Sequence, residues 1–354
     1  MKFAILGDMH IGMRNDSSRF HDYYEKFYTN VFFPYLEEHN INLVIQLGDL
    51  FDRRKYINFL SLSRSKKYFF DVLKERNIQF HTLLGNHDIF WKESVQVNST
   101  GLVLGEYDNV HLYDKPMTLD AGAVMIDMIP WICDENKDEV FKFIDESNSD
   151  ICAGHFEIAG FAMYRGMEAH DGVASDKFKN YHTVLSGHYH TRSQKGNITY
   201  VGTPGEITWQ DFNDPRGFHV FDDQTMTMEF IENPYKMFAR IVYDDSEPLD
   251  VSKPQINPED YKDKFVKLVV VQKNDFYKFD LLLNSLYNAG VYELKIVEDF
   301  SEFEQGEVDE SINLEDTLDV LSNYIDSVET DADKEKIKKF MRELYVEASN
   351  VEVV

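Results

Sequence analysis

Five times before residue 190 a short apolar run ends in glycine, and a side chain able to bind metal follows at once: "FAILGD", "LVIQLGD", "FHTLLGN", "DICAGH" and "TVLSGH". A brief, nearly continuous apolar run bounded by glycine is the pattern of a strand covered on both faces. Between the runs lie stretches with helical spacing, at 19–39, 58–76, 92–106 and 135–147. Strands alternating with helices predict an α/β fold with a largely parallel sheet, in which functional groups gather beyond the carboxyl ends of the strands. Asp8, Asp49, Asn86, His155 and His188 are thereby predicted to share one edge, each glycine turning the chain sharply beneath them.

Two further histidines join this set. His10 stands two residues after Asp8, and His190 two after His188; in extended chain such pairs point to the same side. Seven oxygen and imidazole donors exceed the needs of one ion. Two ions about 3.5–4 Å apart need a bridging carboxylate, for which either Asp8 or Asp49 is suited. Donors without thiolate favour Mn²⁺, Fe²⁺ or Zn²⁺ over Ca²⁺. A pair of such ions lowers the pKa of a bound water and stabilises an in-line phosphoryl displacement, so the chemistry indicated is phosphoester hydrolysis.

The remainder of the chain is organised differently. Residues 196–230 read as short strands with Gly, Pro and Asn turns, and after "NPYKMFARIVYDDSEPLD" a Pro-containing acidic connector runs to about 258. "FVKLVVVQ", "FYKFDLLLNSLYNAG" and "VYELKIVED" then give strand, helix and strand. Residues 299–333 carry thirteen Asp and Glu and no Lys or Arg, the composition of a solvated region. Two helices are expected at 314–328 and 332–348. Each has one apolar stripe, Leu314, Leu318, Leu321 and Ile325 in the first and Ile337, Phe340, Met341 and Leu344 in the second. The expected division is 1–235, 236–298, an acidic linker at 299–313, and 314–354.

A net charge of −27 argues against a chain that wraps nucleic acid unaided, because non-specific affinity for phosphates comes from Lys and Arg. Basic residues cluster at Arg53, Arg54 and Lys55, at Arg64, Lys66 and Lys67, and at Arg192 and Lys195. Cys133 and Cys152 lack the paired spacing of a zinc or redox motif and are expected to be reduced core residues. No apolar run approaches the roughly 20 residues of a membrane span, so no membrane association and a cytoplasmic location are expected. No G-x-x-x-x-G-K-[ST] loop is present, so any ATP dependence must come from another chain.

"GDMH", "GDLFD", "GNHD", the "GH" at 154–155 and "GHYH" together resemble the motif set of the calcineurin-like metallophosphoesterases over roughly residues 1–220. "YDKP", "IPW", "GTP" and "NDPRGF" bring the chain closer to the SbcD-type recombination and double-strand-break repair nucleases, and within them to the recombination endonuclease subunits of T-even phages. The resemblance implies a sandwich of two mixed sheets flanked by helices, a small α/β capping domain and a C-terminal helix pair. It implies a DNA exo/endonuclease using two divalent ions, Mn²⁺ expected and Mg²⁺ the alternative. A phosphatase of the same superfamily is the competing function.

By motif position, Asp8, His10, Asp49 and His190 would hold one ion, and Asp49, Asn86, His155 and His188 the other. His87 would face the scissile phosphate without binding metal, and Asp52 and Asp88 would orient the ligands. Arg53, Arg54 and Lys55 would touch DNA at the rim. The helix pair, through the stripe residues named above, would dock on the coiled coil of an SMC-like ATPase. A homodimer is expected through 58–76 and 92–106, with Leu62, Phe69, Phe70 and Leu73 as its apolar surface. Asp52 stands where several relatives carry His, and Gly205 where relatives carry a bulkier residue.

Overall fold

The computed structural model describes residues 1–164, 167–169, 172–246 and 256–298, with 334, 336–338 and 341. The five glycine-terminated runs are strands, but they divide between two sheets. Lys2–Leu6, Leu43–Gln46, Gln79–Leu83 and Val110–Tyr113 lie parallel in the first; Gly217–Asp222 and Thr227–Glu232 extend it antiparallel beyond Lys2–Leu6. In the second, Ile198–Tyr200, Thr183–Gly187, Ile151–His155 and Met125–Ile129 are parallel, with Ser193–Lys195 and Met117–Asp120 antiparallel at its edges.

The two sheets pack face to face. Phe3, Ile5, Leu43 and Ile45 of the first meet Ile126, Met128, Ile151 and Leu185 of the second. The alternate residues Ala4, Leu6 and Val44 face an aromatic layer containing Phe27, Phe32, Phe69 and Phe70, supplied by the flanking helices. Burial on both faces is why these strands are apolar throughout rather than alternating. Helices over 18–38 and 59–75 match the expected spans, each with a π-helical turn, at Tyr28–Phe32 and Lys66–Phe70. In the first, the π turn leads directly into Pro34, which has no N–H to donate to the helical ladder. Lys137–Glu146 is the helix expected at 135–147.

The helix expected at 92–106 is not there. Ile89–Trp91 and Ser94–Asn98 pair as an antiparallel hairpin, and only Ser99–Val103 is helical, with the Asn98 side chain accepting from Gly101 N. Val95 and Val97 alternate with polar neighbours, a strand signal that outweighs the helical spacing of the longer window. The surface assigned to a homodimer is corrected with it: Phe69, Phe70 and Leu73 are wholly buried in the protein's own core and Leu62 packs against it. A helical apolar stripe identifies a covered face without saying what covers it.

The module after residue 235 has three strands rather than two. Phe238–Asp244, Phe265–Gln272 and Glu293–Val297 form a parallel sheet, and Phe276–Ala289 packs on it around Ile241, Leu268, Phe279 and Leu286. "FARIVYD", which precedes the expected connector and falls in none of the expected elements, is its first strand. Cys133 and Cys152 are buried and unpaired. Among the described residues no helix is long and apolar enough to cross a membrane. Lys334, Lys336, Ile337, Lys338 and Met341 are helical; Leu314, Leu318, Leu321, Ile325, Phe340 and Leu344 lie outside the described residues.

Candidate metal centre

Asp8, Asp49 and Asn86 follow the first three strands of one sheet, while His155 and His188 end or follow two strands of the other. The site is therefore assembled across the sandwich. The glycines serve this meeting more than turning. A Cβ on Gly187 would lie 2.4 Å from Leu47 O and 2.6 Å from Asp8 Oδ1, and one on Gly85 would lie 2.1 Å from Asp49 Oδ1. Gly48 alone of the glycines in the five runs has a positive φ, +86°. The strained conformations fall on candidate ligands instead, with φ of 44° at His10, 52° at Asp49 and 86° at His188.

Two sets of donors converge. Asp8, His10 and His190 form the first: His10 Nε2 is 3.0 Å from His190 Nε2, and His190 Nε2 is 3.6 Å from Asp8 Oδ2. Asp49, His155 and His188 form the second, with His155 Nε2 3.3 Å from Asp49 Oδ2. Asn86 Oδ1 lies between the imidazoles, 3.0 Å from His155 Nε2 and 3.1 Å from His188 Nδ1. Asp49 also lies 3.9 Å from His10 Nε2, between the two sets. Buried Asp8 and Asp49 facing imidazoles, with further imidazole and amide donors aimed at the same points, are a fitting set for divalent cations.

The electrostatics record this crowding. Burial pushes the Asp8 carboxyl up, whereas at Asp49 the neighbouring His155 and His87 overcome burial and hold the carboxyl well below its usual range. His10 rises to about 9: burial opposes charge, but the Asp52 hydrogen bond and Asp49 outweigh it. His155 also rises to about 9, burial being outweighed by Asp49 and Asp8. His188 is pushed down to about 3 by burial and by His155, and His190 well down by burial and His10.

Supporting groups separate by role. Asp52 Oδ1 is 3.4 Å from His10 Nδ1, and its backbone carbonyl accepts from His87 Nδ1 at 2.6 Å. The Asp88 carboxylate accepts from Leu50, Phe51 and Gly85 N–H groups and so ties two site loops together. Burial and Asp49 push it up to about 6. His87 N–H donates to Asp49 Oδ1 at 2.8 Å, and its ring lies within ligand reach of His10 and Asp49. Arg53 is folded onto Asp16, Asn15 and Tyr56, Arg54 is half-buried, and Lys55 is exposed. Of the second basic cluster, Arg64 binds Asp22 and Glu25 and Lys66 binds Glu106.

Sequence reasoning missed two supports. Gln46, wholly buried, donates to the carbonyls of Gly7 and Gly48 and accepts from Gly48 N, joining the loops of Asp8 and Asp49. A polar residue inside "LVIQLGD" was the available signal. Trp131, of "IPW", lies 5.2 Å from the His188 ring and 5.8 Å from that of His155. Gly205 is a packing position: a Cβ there would meet Tyr23 at 2.6 Å and Tyr24 at 2.9 Å.

A two-sheet sandwich with acids and imidazoles converging at its strand ends defines a metal-dependent phosphoesterase. The chain belongs to the calcineurin-like phosphoesterase family, whose pattern matches residues 1–192. It is 34% identical over 353 residues, 99% of this chain and 100% of the relative, to exonuclease subunit 1 of Enterobacteria phage T4. Two solved structures are more distantly similar. An archaeal phosphodiesterase is 11% identical with a TM-score of 0.34, covering 66% of this chain and 100% of that one. A Mycoplasma pneumoniae phosphatase is 14% identical with a TM-score of 0.38, covering 66% and 93%.

Proposed function

We propose that this chain is the nuclease subunit of a recombination and double-strand-break repair complex, hydrolysing DNA phosphodiester bonds in the host cytoplasm. The observation that carries this reading is the pair of donor sets, with Asp49 of one set 3.9 Å from His10 of the other, in a chain similar along its whole length to an exonuclease subunit. Asp8, His10, Asp49 and His190 would hold one ion and Asp49, Asn86, His155 and His188 the other, Mn²⁺ in preference to Mg²⁺. Such ions supply charge neutralisation at the phosphate and a water of lowered pKa. His87, its ring oriented by the 2.6 Å hydrogen bond from Nδ1 to Asp52 O, would stabilise the phosphate or protonate the leaving oxygen. Lys55, with Arg53 and Arg54 behind it, would meet the DNA backbone.

Residues 1–235 would form the nuclease domain and 236–298 the cap. The acidic linker 299–313 would lead to a segment, 314–354, that docks on an SMC-like ATPase through Leu314, Leu318, Leu321, Ile325, Ile337, Phe340, Met341 and Leu344. Two copies of the chain would pair as a homodimer. The test offers plasmid DNA and a phosphatase chromogen to one Mn²⁺-loaded sample. DNA cleavage that a chelator abolishes is expected. Turnover of the chromogen alone would replace the nuclease with a phosphatase.

A further inference from the structure

Arg216, in "NDPRGF", is 2% exposed, and its guanidinium reaches in two directions. One terminal nitrogen donates to the carbonyl of His190 and, at 3.0 Å, to Thr203 Oγ1. The other meets Asp211 Oδ1 at 2.6 Å and Asp214 Oδ2 at 2.8 Å. The His190 carbonyl also accepts from Thr203 N at 3.1 Å. A guanidinium out of water is costly unless carboxylates pair it, and here two do. Its planar fork lets it hold the acids on one side while gripping a carbonyl on the other, which a lysine ammonium cannot reproduce.

The grip falls where the site lacks other support. The His155 ring is fixed by donation from Nδ1 to Leu47 O at 2.7 Å. Among the described residues, the His190 ring has only candidate ligands as polar partners, His10 and Asp8, and its side chain is 30% exposed. Its placement depends on its backbone, and the backbone is held by Arg216 and Thr203. We propose that Arg216 is a positioning residue for His190, setting the affinity of the ion that Asp8, His10 and His190 would share. The proposal rests on the two-ion reading above, and Arg216 itself touches neither ion nor substrate.

The test titrates Mn²⁺ into chelator-stripped full-length protein and follows it by calorimetry and elemental analysis. Parent protein, Arg216→Lys, Asp214→Asn and His190→Ala are compared. Arg216→Lys should bind one ion as the parent does and the other about tenfold more weakly, the size expected when a support behind a ligand is lost. His190→Ala should weaken the same ion further, and Asp214→Asn less. A merely structural role would lower the melting temperature and leave both affinities unchanged. Two ions bound by Arg216→Lys at parental affinity overturn the proposal, whereas a parent that fails to bind two ions overturns the two-ion reading instead. Should Arg216→Lys not fold, Asp214→Asn, which slackens the guanidinium without removing it, decides alone, and unchanged affinities there overturn the proposal.

Discussion

The half of the site built on His155, His188 and Asn86 is anchored in the inter-sheet core, a closed frame, and the half built on His10 and His190 rests on loops, an open one. In exposure they match, each pairing a buried imidazole, His155 or His10, with a half-buried one, His188 or His190. His155 is wholly buried, its ring fixed by a main-chain carbonyl, with Asn86 shared between two imidazoles and Trp131 beside both. His190 is partly exposed, and its partner His10 leans on Asp52, itself 27% exposed. The donor chemistry is nearly the same. What differs is the source of the geometry, which the closed half takes from the inter-sheet core and the open half from two loops and a buried arginine. Ligands placed by a packed core are held more rigidly than ligands placed by loops, so an ion in the open half should exchange faster.

The largest effect is expected where the halves join. Asp49→Ala should abolish binding of both ions and lower DNA cleavage by at least about a thousandfold with the fold retained. Metal analysis and circular dichroism check it, and a variant keeping both ions would mean that the halves are independent. Next comes His87→Asn, expected to keep both ions and lose about a hundredfold in turnover. His87 lies within reach of His10 and Asp49, so an emptied site would make it a ligand and enlarge the open half.

A smaller contrast separates the two halves by stability. His155→Ala leaves a cavity and an unpaired Leu47 carbonyl in the core, and should destabilise the metal-free protein by about 1–3 kcal/mol. His190→Ala should leave the melting temperature nearly unchanged. Equal losses would erase the distinction between closed and open.

The faintest signal is expected from the scaffold behind the open half. Glu206 accepts from Met237 N and Phe238 N, and burial pushes its carboxyl up to about 7 despite those bonds and Lys236; Asp211 reinforces the rise and Tyr23 stands alongside. The folded protein thus holds this proton more tightly than the unfolded chain. Its contribution to stability is greatest below the ordinary carboxyl range and is lost as pH rises through about 7. Glu206→Gln should remove a few degrees of the fall in melting temperature between pH 5 and 8. Parallel melting curves for parent and variant would show that Glu206 is not the source.

Much of the fold was legible because its signals are local. The five glycine-ended runs and the helices near 19–39, 58–76 and 135–147 follow from period and residue type alone. The hairpin at 89–98 was hidden because Val95 and Val97 make a short alternation inside a window with competing helical spacing. Leu73, Phe69 and Phe70 were misplaced on a dimer surface for a different reason. Periodicity marks a face as apolar, and only packing shows that the protein's own core covers it.

Within the site, the sequence by itself determined which side chains would stand at strand ends and what chemistry they could perform, since a strand's end and the residue after it are local facts. Only the tertiary structure decided that Asp8, Asp49 and Asn86 arrive on one sheet and His155 and His188 on another, and that they meet because glycines let the strand ends approach to contact. It also decided that Asp88 ties the loops of Asp49 and Asn86 together, that Gln46 ties those of Asp8 and Asp49, and that Arg216 reaches back to His190. The long-range contacts among these join residues 26 to 39 positions apart: Gln46–Gly7 and Asp88–Leu50 link neighbouring strands of one sheet, and Arg216–His190 links one sheet to the other. A linear pattern of apolar and polar residues carries period and chemistry, but the register between two sheets exists only once both are folded.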